Sequence, residues 1–102
     1  MNNYQKEAMT FRTPTADQAY ALLNLGAEAG EVLGKVAKHI RDRGDAEVLR
    51  QDIKKELGDV MWMVAAVAAD FNLTLSEVCT HNLEKLNSRK ERNVITGSGD
   101  NR

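Results

Sequence analysis

The sequence holds one cysteine and one proline, and its aromatic side chains are one tryptophan, two tyrosines and two phenylalanines. A lone cysteine, Cys79, excludes an intrachain disulfide and supplies no cysteine-based zinc set. It lies in an apolar-rich segment, where a buried structural thiol is the expectation. With Pro14 the sole proline, helices can run long without a built-in breaker. Charge of one sign is lacking too, since 14 basic against 15 acidic residues leave a net charge of −1. That balance gives no electrostatic footprint for a nucleic acid polymer, and none is expected as a partner. The longest apolar run, Val60 to Ala69, falls far short of the roughly 20 residues that span a bilayer. The start, Met1-Asn2-Asn3-Tyr4-Gln5-Lys6, lacks the basic-then-apolar pattern of a signal peptide. A soluble, cytoplasmic protein without a membrane partner is therefore expected.

No stretch alternates apolar and polar residues with period two, so strands have no candidate. Helical periodicity is present almost throughout. A short first helix is predicted over Asn3 to about Arg12, broken by Thr13-Pro14-Thr15, with Thr15 or Asp17 able to cap the next. The second helix is predicted from about Ala16 to Arg43, where Leu22, Leu25, Ala29, Val32, Val36 and Ile40 form a stripe of helical period. Gly44-Asp45 reads as a C-cap and restart. The third helix follows from about Ala46 to Asp70, and Thr74 with Glu77 has the form of a capping box for a fourth reaching about Arg92.

The reading is one all-α helical-bundle domain over residues 1–95, with two long antiparallel helices, followed by a mobile tail at 96–102. A chain of 102 residues buries a thin core. The run from Val60 is apolar on every side, so oligomerisation is expected to complete that core. Trp62 is assigned to the core, with the border of a ligand pocket as the lesser alternative, and His39 and His81 to structural or solvent-facing positions. Gly26, Gly30 and Gly34 stand four residues apart, each costing about 1 kcal/mol in a helix interior. Their register suggests a close helix–helix or helix–ligand approach.

Chemistry enters with two matched motifs, Glu28-Ala29-Gly30-Glu31 on the second helix and Glu56-Leu57-Gly58-Asp59 on the third. Residues three apart share a helix face, so each motif sets two like charges side by side. Both pairs sit where the helices are most apolar, an arrangement that is costly without a cation. A single such motif is ordinarily a solvated face. Here Glu31 lies 13 residues before Gly44 and Glu56 lies 12 after it, which puts both pairs at the same height of an antiparallel hairpin. Oxygen donors without histidine or cysteine favour Mg²⁺, with Mn²⁺ as its substitute. The metal candidates are Glu28, Glu31, Glu56 and Asp59. Glu28 and Glu31 are also the candidates for orienting a catalytic water, Glu28 first.

Lys35, two turns beyond Glu28, and the row Asn82, Lys85 and Arg89 on the fourth helix suit an oxyanion chain such as a triphosphate. A basic row near a helix C-terminus also complements the helix dipole, so the row alone decides nothing.

The combined pattern resembles the MazG-like members of the all-α nucleoside triphosphate pyrophosphatases. The resemblance is carried by Glu28-x-x-Glu31, 24 intervening residues and Glu56-x-x-Asp59, by Asn82-x-x-Lys85-Leu86-x-x-Arg89, and by the closing Gly97-Ser98-Gly99-Asp100-Asn101-Arg102. It implies Mg²⁺-dependent hydrolysis of a (deoxy)nucleoside triphosphate to the monophosphate and pyrophosphate, in nucleotide house-cleaning. It further implies a homodimer or a homotetramer built as a dimer of dimers, with sites walled by neighbouring subunits. The first-helix region often shapes the base pocket in this family. A helical oligomer that binds or senses a nucleotide without turnover is the rival reading.

Overall fold

The computed structural model describes residues 1–100; Asn101 and Arg102, the end of the predicted tail, lie outside the described residues. Four helices follow one another, α1 (Asn2–Met9), α2 (Gln18–Asp42), α3 (Ala46–Asp70) and α4 (Leu75–Glu91), with no strand among the described residues. The all-α bundle read from periodicity is therefore the architecture.

Local chemistry explains the boundaries. Asp17 accepts a hydrogen bond from the Tyr20 amide and opens α2. Asp45 does the same for α3, accepting from the amides of Glu47 and Val48. Thr74 and Glu77 form the predicted capping box at the start of α4. One detail differs at the α2–α3 turn. The left-handed residue is Arg43 (φ 50°), not Gly44, and both their amides return to the carbonyl of His39. At Gly44 a Cβ would stand 3.3 Å from Nδ1 of His39, a close contact that the imidazole would have to yield to.

α2 and α3 form the long antiparallel hairpin and make the most extensive contact in the molecule. α1 packs across α3, and α4 leaves α3 at 99°. The core lies at that corner. Ala65, Ala68 and Leu75 are buried together, with Met9 and Val64 packed against them. Alanines on α3 let α1 approach closely, and two side chains fix the contact. Trp62 Nε1 donates to the carbonyl of Ala8 at 3.0 Å. Gln5, itself buried, donates to the carbonyls of Leu73 (3.0 Å) and Ala65 (3.4 Å) and accepts from the amide of Leu75 (3.0 Å). Beyond α1, Arg12 pairs with Asp70 at 2.8 Å and donates to the carbonyls of Ala16 and Ala66. The hydrogen bond that the guanidinium donates to Asp70 holds its pKa above the ordinary value.

Several faces expected to be covered are open. Of the α2 stripe, Leu25, Val32 and Val36 are half-buried, while Leu22, Ala29 and Ile40 are exposed. Gly26, Gly30 and Gly34 meet nothing a Cβ would touch. Cys79 is exposed, contrary to expectation, because α4 is anchored at its first residue, Leu75, and turns away from the core. Among the described residues no single helix is long and apolar enough to cross a membrane.

Candidate metal centre

The α2–α3 hairpin brings carboxylates of both motifs together. One oxygen from each of Glu28, Glu56 and Asp59 can be chosen so that the three lie within 4.8 Å of one another. Glu28 and Glu56 are half-buried, whereas Asp59 is exposed. Three like charges at such spacing repel, and hard oxygen donors are what a divalent cation such as Mg²⁺ takes. The donor set therefore fits a small divalent ion.

Glu31 stands outside this grouping and is exposed. Helical geometry gives the reason. At about 100° per residue, Glu31 sits roughly 60° round α2 from Glu28. That rotation carries it away from Val32 and Val36, the side that packs on α3, and onto the shoulder of the cleft.

Neighbouring groups shape the centre. Lys35 Nζ lies 3.9 Å from Glu56 Oε1, so one predicted phosphate ligand already reaches the acidic cluster. Asn24 was not singled out in the sequence. Its amide nitrogen donates to Glu28 Oε1 at 3.2 Å and lies 3.5 Å from Met63 Sδ, which fixes the carboxylate from one side. The signal was available, since Asn24 is four residues before Glu28 and such pairs meet on a helix face.

The α4 row is elsewhere. Among the described residues α4 packs against α1 and α3 and not along α2, so Asn82, Lys85 and Arg89 are not brought to the acidic cluster by this fold alone. Asn82 is exposed, Lys85 is half-buried and Arg89 is 5% exposed. Both cations meet Asp100 instead, with Lys85 Nζ 3.5 Å and Arg89 Nη2 3.7 Å from its Oδ1. On the other side of the corner, Tyr4, Glu7, Ala8, Phe11 and Trp62 line an open cavity of about 300 Å³.

The sequence matches the family described as MazG nucleotide pyrophosphohydrolase domain over residues 17–94. That span opens at the cap of α2 and closes just past α4, leaving α1 and the tail outside it. The chain is also similar to the Gene 37 protein of Mycobacterium phage L5, at 49% identity over 86 residues, covering 82% of this chain and 75% of that protein. No solved structure matches the chain.

Proposed function

This chain belongs to the MazG nucleotide pyrophosphohydrolase domain family, and on that premise we propose that it hydrolyses (deoxy)nucleoside triphosphates between the α and β phosphates. The products are the monophosphate and pyrophosphate, and the physiological role is clearance of surplus or non-canonical nucleotides. The observation that carries this reading is the convergence of Glu28, Glu56 and Asp59 from two antiparallel helices, with Lys35 beside Glu56.

In this reading Glu28, Glu56 and Asp59 hold a divalent cation, Mg²⁺ by the hardness of the donors and Mn²⁺ as its substitute. When bound, that ion supplies neutralisation of the phosphate charge and polarises water. The chain's own residues do the positioning on which phosphoryl transfer depends. Asn24 keeps Glu28 in one orientation. Glu28, with Glu31 one turn further along α2, orients the attacking water and takes its proton as oxygen adds to the α phosphorus. The bond to the bridging oxygen breaks, and pyrophosphate leaves with the electron pair. Lys35 offsets negative charge in the cleft, while Lys85 and Arg89 bind the phosphate chain and Asn82 contacts the sugar or base. Tyr4, Phe11 and Trp62 offer stacking surfaces for a base, with Glu7 as an acceptor at the rim.

A self-associated state belongs to the same reading. α4 and the acidic cluster lie apart in one chain, and in this reading a second subunit brings its cation row to the carboxylates. The open faces support this. The chain exposes 7608 Å², against about 5,700 Å² for a compact monomer of its mass.

The test is pyrophosphate release from a panel of NTPs and dNTPs, with and without Mg²⁺. Wild type is expected to turn over at least one of them only with the metal, and Glu56→Gln to lose at least about 100-fold in kcat/KM. Saturable nucleotide binding without monophosphate product, or full activity of Glu56→Gln, would overturn the reading.

A further inference from the structure

Arg89 is 5% exposed, so its guanidinium cannot meet a dissolved polyanion while the chain around it stays in place. What holds it is Asp100. Arg89 Nη2 donates to the Asp100 carbonyl at 2.6 Å, and the Asp100 carboxylate reaches Lys85 Nζ at 3.5 Å and Arg89 Nη2 at 3.7 Å. Arg89 Nε is buried and finds no hydrogen-bond partner among the described residues.

The path that returns Asp100 to α4 is built from turn residues. Asn93 takes φ 59°, and the Val94 amide donates to the Arg89 carbonyl at 2.8 Å. Gly97 (φ 121°) and Gly99 (φ 89°) then adopt backbone conformations that side chains resist. The closure is specific, yet the carboxylate is weakly held, because Asp100 is 88% exposed and its ion pairs are long.

We propose that residues 96–100 form a strap over the cation row of α4, with Asp100 standing between Lys85 and Arg89 where a phosphate group is to be held. The proposal rests on the reading of those two cations as phosphate ligands, not on turnover. A polyphosphate carries several negative charges against one on Asp100, and its oxygens can satisfy Arg89 Nε together with Nη2 in the bidentate geometry that guanidinium favours. The incoming chain therefore displaces the strap and frees Arg89.

The probe is inorganic tripolyphosphate, titrated calorimetrically into the full chain without divalent metal. Asp100→Asn removes the charge and keeps the size, and a second variant ends at Ile95. Both are expected to bind tripolyphosphate about three- to tenfold more tightly than wild type, the range that loss of two long ion pairs to an exposed carboxylate allows. Adding Lys85→Ala to Asp100→Asn should abolish the gain. Equal or weaker binding by either variant at unchanged melting temperature overturns the strap, as does absence of binding by every form. Failure to hydrolyse any nucleotide would sink the catalytic reading and leave this measurement intact. Hydrolysis by a protein whose Asp100→Asn variant binds no better would sink the strap alone.

Discussion

A glutamate on a helix samples several rotamers, and a metal centre needs it in one. Glu28 has an oxygen held at 3.2 Å by the Asn24 amide, which is itself packed against Met63. Groups that orient a metal ligand typically affect affinity about 10–100-fold when removed. Asn24→Ala is accordingly expected to raise the Mg²⁺ concentration for half-maximal activity about tenfold, read from a metal titration of turnover, with little change in melting temperature. Lys35 is a different case, because its ammonium reaches Glu56 directly and competes with a cation for the same oxygen. Glu31, on the exposed shoulder, is free to serve water or substrate instead of the three-carboxylate group.

Among the elements, α1 is short but fastens the corner on which everything else turns. Its Gln5 side chain satisfies the Leu73 carbonyl and the Leu75 amide, backbone groups of the α3–α4 turn. Gln5→Ala would leave the buried Leu75 amide without its partner, at about 1–3 kcal/mol, and remove the bond to the part-buried Leu73 carbonyl. The expected result is a lower melting temperature, by roughly 10 °C or more for a domain of this size, seen by circular dichroism. The α2–α3 hairpin is where the reading from spacing was most legible. Its turn, its antiparallel course and the shared height of two carboxylate motifs all followed from counting residues to Gly44. The α4 row was legible as a cationic stripe, but not its distance from the hairpin. The break at Asn72-Leu73 is visible in the sequence; the 99° turn it makes is not.

For the whole molecule, shape is the informative quantity. A folded chain of about 100 residues has a radius of gyration near 13 Å, whereas this one measures 16.6 Å, with extents of 43 × 40 × 23 Å. Leu23, Leu33, Ile40 and Leu83 are each 60% exposed or more. Apolar surface of this extent is stabilised by association. Sedimentation is expected to give a dimer or tetramer, with a melting temperature that rises with protein concentration, as linkage to assembly requires. A monomer at micromolar concentration with a concentration-independent transition would contradict it.

The sequence by itself determined the helices, the N-caps of α2 to α4 and the meeting of two acidic motifs, because helical period and capping act within a few residues. It also carried the resemblance to the family whose domain spans residues 17–94. Only the tertiary structure decided which carboxylates converge, since that depends on rotation about α2 and on which of its faces meets α3. It likewise decided that Cys79 is exposed and that Asp100 returns to Lys85 and Arg89. These are contacts between residues whose separation in space follows from the α3–α4 corner and the C-terminal turns, and no local pattern encodes that distance.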